Sequence, residues 1–258
     1  MKIGIIQGRL SPPVEGFQET PKNWQKEFEY LKQLNMNHIE WVVTKKSFST
    51  NPIFFEDLTD YSISSVCADN IIDKKIDNHE FLLDNIVPLC KVAQKNNIKN
   101  ITLPLLEDSS VENSNKRDNF CTTLKYISST FQDLNFLIEA ELGIEELREI
   151  LNVNSNIYVT YDTGNITSFG LSHDEYINSF LPKIKNVHLK DRTKSGHTVA
   201  PFSGDTDFYL ILKKLVDMNY NCLYTLQTAR GPSGREKDTI LKHKEKFEEV
   251  INEYKKNV

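Results

Sequence analysis

Short apolar runs alternate with longer segments of helical periodicity along the whole chain. The runs are rich in β-branched and aromatic residues and have the length of buried strands. Eight of them can be distinguished: Lys2–Ile6, His38–Val43, Ile63–Cys67, Ile101–Leu105, Phe136–Ala140, Ile157–Tyr161, Asn186–Lys190 and Leu223–Gln227. Because helical segments separate the runs, the pattern predicts parallel strands joined by crossover helices.

Capping signals predict where three of these helices begin. Thr20 followed by Pro21 indicates a first helical turn. The S-x-x-E pattern at Ser172–Glu175 and again at Ser233–Glu236 is typical of a capping box. The segment 54–61 is the weakest crossover, and we expect only a short helix there.

Eight β/α units predict an α/β fold of the (β/α)8 TIM barrel type. The chain has 258 residues, which is about the length of one such barrel. No Gly/Ser-rich linker or repeat interrupts the alternation, so one domain is predicted over residues 1–258. An open dinucleotide-binding sheet is a poor alternative, since the first turn, QGRLSPP, lacks the G-x-G-x-x-G pattern.

Composition and charge exclude several classes of function. No apolar run approaches the ~20 residues that cross a bilayer, and the N-terminus does not resemble a secretory signal, so a cytoplasmic protein is expected. The four cysteines form no C-x-x-C pair and are expected to be reduced thiols. A net charge of -5 argues against binding to nucleic acid. The oligomeric state stays open.

Polar side chains follow the ends of all eight predicted strands. In a barrel of this kind, the catalytic groups project from the carboxyl ends of the strands. The last four strands end in a carboxylate, a carboxylate, an imidazole and an amide: Glu139, Asp162, His188 and Gln227. Because burying like charges together is costly unless a cation compensates them, this set predicts one divalent metal ion. Oxygen ligands with one imidazole suit Mn, Mg, Co or Zn.

Six motifs together resemble the xylose isomerase-like barrel superfamily, which includes sugar isomerases and epimerases, inosose dehydratases and endonuclease IV-type enzymes. They are IIQGRLSPP, IEW, SVCAD, YDTGN, VHLKDR and LQTAR, and the resemblance covers nearly the whole chain. It implies that Glu139, Asp162 and His188 bind the metal. The fourth ligand position is Gln227, where the family pattern has a glutamate.

The resemblance also implies roles around the metal. Glu139 is the expected base, and Lys190 and Asp191 match a pair that contacts substrate and assists proton transfer in inosose dehydratase-like relatives. Six further residues are expected to bind the substrate: Gln7, Arg9, Glu40, Asp69, Asn165 and Arg230. The two arginines suit a carboxylate or phosphate, although a surface salt bridge is an equally good interpretation of each. The stretch GHTVAPFSGDTDF is expected to be a mobile loop over the site, and His197 lies within it.

The predicted activity is a divalent-metal-dependent isomerisation or epimerisation of a small polyhydroxylated sugar or sugar phosphate. Glu139 would abstract a proton next to a metal-polarised carbonyl. An amide cannot take a proton, so Gln227 argues against an epimerisation with two bases. An inosose dehydratase-like lyase and a non-catalytic sugar-binding barrel remain alternatives. Endonuclease activity is disfavoured by the net charge and by Asn165, which occupies the position of a metal-binding histidine.

Overall fold

Eight parallel strands close into a barrel in the computed structural model, which describes residues 2–14 and 19–256. The strands are β1 (Lys2–Ile6), β2 (Ile39–Val42), β3 (Ile63–Cys67), β4 (Asn100–Leu105), β5 (Asn135–Ala140), β6 (Ile157–Asp162), β7 (Ile184–Leu189) and β10 (Leu223–Leu226). Their order around the barrel is β1-β10-β7-β6-β5-β4-β3-β2. The predicted (β/α)8 barrel is therefore confirmed, with strand bounds within two residues of those predicted.

Helices surround the barrel, and a short hairpin follows β7. The helices are α1 (Gln25–Gln33), α2 (His79–Lys95), α3 (Ser114–Thr130), α4 (Ile144–Leu151), α5 (Thr163–Phe169), α6 (His173–Phe180), α7 (Phe208–Asp217) and α8 (Glu236–Lys255). The hairpin pairs β8 (Asp191–Arg192) with β9 (Thr198–Val199) in antiparallel fashion. The weak crossover between β2 and β3 contains a single 3-10 turn, Pro52–Phe54. Within the described ranges, no helix is long and apolar enough to cross a membrane.

One of the three predicted helix starts is confirmed. The hydroxyl of Ser172 caps α6 by accepting a hydrogen bond from the backbone of Glu175 at 3.3 Å. The other two predictions are wrong. Ser233 does not cap α8, which begins only at Glu236. Thr20 lies five residues before α1, and its hydroxyl accepts a hydrogen bond from Gln7 instead.

The apolar core lies between the strands and the helices, where Trp41 of β2 packs against Trp24 and Phe28 at the start of α1. A chain of polar side chains is buried among the strands. Hydrogen bonds link these side chains in sequence, from His38 through Thr225, Asn186 and Glu40 to His188. A buried network of this kind is stable only when its members satisfy one another. It ends at the carboxyl end of the barrel, where the candidate site lies.

Acidification is expected to destabilise the fold through the buried His38 and the half-buried His173. Burial lowers the pKa of His38 and of His173 from 6.5 to about 4. Each histidine is therefore protonated below about pH 6.5 in the unfolded chain, but only below about pH 4 in the folded chain. The free energy of unfolding should fall through this interval by roughly 3 kcal/mol for each histidine. Denaturant titrations at about pH 7 and about pH 4.5 measure this loss.

His173 allows the effect to be isolated, because it lies outside the barrel strands and, within residues 2–14 and 19–256, bonds only the hydroxyls of Tyr161 and Thr167. The variant His173→Asn should lose less stability between the two pH values than the unmodified protein. The exposed His197→Asn variant serves as the control and should keep the original pH dependence. An identical pH dependence in His173→Asn would show that this histidine does not contribute.

Candidate metal centre

Three ligand-type side chains converge at the carboxyl end of the barrel. Glu139 and Asp162 lie at the ends of β5 and β6, and His188 lies near the end of β7, paired in register with Asp162. One ligand atom from each residue lies within 4.8 Å of the others. His188 Nδ1 is 3.6 Å from Glu139 Oε2 and 3.9 Å from Asp162 Oδ2. All three side chains are buried.

Two buried atoms beside this triad lack a hydrogen-bond partner among the residues that the structure describes. They are His188 Nδ1 and Gln227 Oε1. Gln227 directly follows β10 and lines the same cavity as Glu139. Buried polar atoms are rarely left unsatisfied, and each exception needs an explanation such as an ion. The four side chains fit a divalent metal ion, which prefers carboxylate and carbonyl oxygens together with an imidazole nitrogen.

Glu40 orients the imidazole of His188 through a hydrogen bond to Nε2, on the side of the ring away from Glu139 and Asp162. It is fully buried, and its carboxylate accepts hydrogen bonds from His188 Nε2 at 2.6 Å, Asn186 Nδ2 at 2.9 Å and Thr102 Oγ1 at 2.7 Å. Burial favours the neutral acid, but the neighbouring imidazole of His188 lowers the pKa of Glu40 to about 2. With Nε2 donating to this carboxylate, Nδ1 faces the other two acids. Glu40 therefore lies beneath His188, which differs from the expected contact with substrate.

Asn165 and Lys190 connect the two acidic ligands. The backbone N–H of Asn165 donates to Asp162 Oδ1 at 2.8 Å, and its side-chain Nδ2 donates to Glu139 Oε1 at 3.1 Å. Lys190 Nζ lies 3.3 Å from both Asp162 Oδ2 and Asn165 Oδ1. Asn165 thus orients Glu139 instead of facing the substrate directly. Lys190 also lines the cavity, where a substrate can reach it.

Glu139 of the triad lines a cavity of about 510 Å³ at the barrel mouth. Its polar lining includes Glu19, Asp69, Glu107, Glu139, Lys190 and Gln227. The size is that of a small-molecule site. Burial and the nearby carboxylates of Glu139 and Glu107 raise the pKa of Asp69 to about 6. Asp69 lines the cavity, and its contact with a substrate stays a prediction.

Three other expected substrate-binding residues do not line this cavity. The amide of Gln7 donates to Thr20 Oγ1 and accepts from the backbone N–H of Val42. Arg9 is buried, and burial and the nearby charge of Arg230 lower its pKa to about 10. Arg230 Nη1 donates to the carbonyl of Ser11. Gln7 and Arg230 thus bond to residues of the first βα loop, Thr20 and Ser11.

Asp191 anchors the segment after the hairpin. Its buried carboxylate accepts hydrogen bonds from the backbone N–H groups of Ser203 at 3.0 Å, Gly204 at 2.9 Å and Thr206 at 3.3 Å. This use of both oxygens differs from the expected catalytic role. The segment expected to be a mobile loop is tied down at these points, and the exposed His197 does not line the cavity.

Replacing Asp191 with alanine is expected to loosen this segment. Three backbone donors would lose their acceptor, at a cost of roughly 1–3 kcal/mol in local stability. Hydrogen exchange at the amides of Ser203, Gly204 and Thr206 should accelerate. The control Asp205→Ala removes one hydrogen bond, to the amide of Lys194, and should leave those three amides protected. Unchanged exchange in Asp191→Ala would show that this carboxylate does not hold the segment, and a contact between Asp191 and substrate would again be expected.

Sequence reasoning missed two acids of the cavity. Glu19 lies in the first βα loop, well beyond the end of β1, and its carboxylate accepts from Thr44 Oγ1 at 2.8 and 3.0 Å. Glu107 lies two residues beyond the end of β4, and no role was predicted for it. Nothing in the sequence pattern shows that a loop of this length folds back over the barrel mouth. The alternation along β4 does not give the direction of Glu107, because this residue lies in a 3-10 turn after the strand and has a φ of 52°.

The fold of the barrel is similar to that of solved xylose isomerase-like TIM barrel proteins. A D-tagatose 3-epimerase-like protein has a TM-score of 0.72 with 19% identity, covering 98% of this chain and 99% of that one. A xylose isomerase-like TIM barrel protein from Mycobacterium smegmatis, solved in complex with magnesium, has a TM-score of 0.67 with 13% identity, covering 97% of each chain. These likenesses confirm the fold that the motifs indicated.

Likeness at the sequence level is partial. The inosose dehydratase of Clostridium botulinum (strain Eklund 17B / Type B) is 26% identical over 109 residues, covering 34% of this chain and 37% of that protein. The match thus spans little more than a third of the length of this curated relative. No family model matches the chain.

Proposed function

We propose that this protein is a divalent-metal-dependent enzyme that isomerises a small sugar-like substrate by removing a proton next to a carbonyl group. The observation that carries this proposal is the convergence of Glu139, Asp162 and His188 within 4.8 Å, with Glu139 lining a cavity at the barrel mouth. Likeness to an epimerase-like protein and to a magnesium-bound barrel supports it. The partial match to inosose dehydratase is consistent with the same substrate class.

The triad would hold the ion, with the amide oxygen of Gln227 as a further ligand. A bound divalent ion would polarise a substrate carbonyl and make the neighbouring C–H more acidic. Glu139 is the best base, because its carboxylate lines the cavity while Asn165 fixes one of its oxygens. Asp162 is less suitable, since it caps α5 and bonds Lys190.

In an aldose–ketose isomerisation, Glu139 takes the proton from the carbon beside the carbonyl and returns it to the former carbonyl carbon. The hydroxyl proton moves to the former carbonyl oxygen, so no electrons leave the substrate and no redox cofactor is required. Gln227 cannot accept a proton, which disfavours an epimerisation that needs a second base on the opposite face.

Dehydration is a second candidate, favoured by Lys190 and by the named activity of the curated relative. Glu139 would again take the proton next to the carbonyl. The hydroxyl group on the following carbon would leave as water after receiving a proton from the ammonium group of Lys190. The same base and ion therefore serve either reaction, and the substrate determines which bond breaks.

Incubation with a panel of aldoses, ketoses and inososes in deuterium oxide with Mn²⁺ tests both reactions. We expect deuterium at the carbon next to the carbonyl of at least one sugar, detected by proton NMR. A new ultraviolet band from a conjugated carbonyl would identify dehydration. The Glu139→Gln variant should lose the exchange. Exchange that persists in this variant would contradict the assignment of the base, and binding of a sugar without exchange would favour a non-catalytic barrel.

A further inference from the structure

We propose that three acidic residues around the cavity select for substrates that carry no phosphate or carboxylate group. These residues, Glu19, Asp69 and Glu107, are called the acidic rim. The inference rests on the proposed function and specifies the charge of its substrate as neutral. It also revises the expectation that Arg9 and Arg230 hold an anionic group, since neither lines the cavity.

The acidic rim places negative charge around the entrance. Its three members come from loops after β1, β3 and β4 and line one cavity together with Glu139. Their influence on one another is visible at Asp69, whose pKa is raised by burial and then by Glu139, Glu107 and Glu19. Negative potential of this kind attracts a metal cation and opposes an approaching anion.

Three basic residues of the cavity have acidic partners. Lys45 Nζ lies 2.7 Å from Asp73 Oδ2. Deeper in the cavity, Lys190 is paired with Asp162. Arg192 Nη1 lies 3.4 Å from a carboxylate oxygen of Glu141. Each of these charges is compensated before a substrate enters.

Recognition of a phosphate normally uses an arginine fork, a lysine or the N-terminus of a helix. Lys46, the remaining basic residue of the lining, also has an interaction partner. The N-terminus of α5 points to the same region, but Asp162 caps it by accepting from the backbone of Asn165. A phosphate dianion that bound Lys45, Lys190 or Arg192 would therefore have to displace a carboxylate from that residue.

The backbone around Glu107 supports a specific role for its side chain. Glu107 has a φ of 52°, in the left-handed region that favours glycine. The turn is held by Ser109, whose Oγ accepts from the backbone of Leu106 at 2.9 Å and donates to the carbonyl of Pro104 at 3.0 Å. A glycine would adopt this conformation at lower cost. The glutamate instead places an exposed charge at the cavity mouth.

Isothermal titration calorimetry with anionic and neutral probes tests the selection. The Mn²⁺-loaded protein is titrated with sodium sulfate and with ketoses paired with their own phosphate esters. We expect sulfate to bind weakly and each ketose to bind about tenfold or more tightly than its ester. The double variant Glu19→Gln/Glu107→Gln should reduce the difference in affinity between each ketose and its ester, and it should strengthen sulfate binding. Glu112→Gln, which neutralises an exposed acid outside the cavity, should change neither.

Esters that bind the unmodified protein as tightly as the ketoses would overturn the selection. Sulfate affinity that does not change in the double variant would also overturn it. Failure to bind Mn²⁺ or any ketose would instead contradict the proposed function. The sulfate titration still decides the selection in that case, because it depends on the charge of the cavity and not on the identity of the substrate.

Discussion

The Asp162→Asn variant is expected to lose most of its affinity for divalent metal. Asparagine has nearly the same shape and keeps an oxygen that can cap α5 through the backbone of Asn165, so the fold should survive. The loss of one of two ligand carboxylates leaves the ion with less compensating charge. We expect the dissociation constant for Mn²⁺ to rise on the order of 100-fold or more, with a parallel loss of turnover.

Glu141→Gln provides the matched control for this experiment. Glu141 is an acid of the neighbouring loop that pairs with Arg192 and does not belong to the triad. Its substitution removes the same charge a short distance away. Mn²⁺ affinity should change little in this variant. Equal affinity in Asp162→Asn and in the unmodified protein would show that this acid is not a ligand.

Replacing Glu40 is expected to have the largest effect on stability. In Glu40→Ala, the donors of His188, Asn186 and Thr102 would all lose their acceptor inside the barrel. Removal of one member of a buried charged pair costs about 3–5 kcal/mol. Because His188 would no longer be held with Nδ1 toward the acids, metal affinity should also fall by about 10–100-fold. Denaturant titration and Mn²⁺ titration measure the two effects.

The Glu40→Gln variant separates charge from shape. A glutamine keeps one acceptor but presents an NH₂ group where three donors converge, so one donor of the network has no acceptor. We expect intermediate stability and weakened metal binding. If Glu40→Ala unfolds, the Mn²⁺ affinity of Glu40→Gln still tests the positioning role. Unchanged Mn²⁺ affinity in Glu40→Gln would mean that packing, and not the bond to Glu40, fixes the orientation of His188.

The barrel and the triad could be predicted because both follow from local rules. β5 and β6 are continuous apolar runs, which are typical of parallel strands buried on both faces. Glu139 and Asp162 end these strands, and His188 lies beside Asp162 in register. Since the carboxyl ends of parallel strands meet at one end of a barrel, the convergence of these side chains follows from topology.

The roles of Glu40 and Asp191 were harder to predict, because they depend on side-chain direction. Glu40 lies at a register shift between β2 and β3, which the sequence does not reveal. Asp191 follows Lys190, and the alternation of side chains along an extended chain sends the two residues to opposite sides. That alternation was available in the sequence. It indicates that Lys190 and Asp191 cannot both face the substrate.

The loop residues could not be placed from the sequence at all. Glu19 approaches the cavity through a bond with Thr44, a contact between loops that follow different strands. Arg230 instead reaches back to Ser11. Such contacts depend on the three-dimensional course of the loops, and no periodic pattern encodes them.

Pulsed EPR of the protein loaded with Mn²⁺ tests the central claim most directly. The structure predicts one bound ion per chain with the coupling of a single imidazole nitrogen, and this coupling should disappear when His188 is replaced by glutamine. A protein that retains no ion, or an ion whose spectrum shows no imidazole nitrogen, would contradict a metal centre built from Glu139, Asp162 and His188.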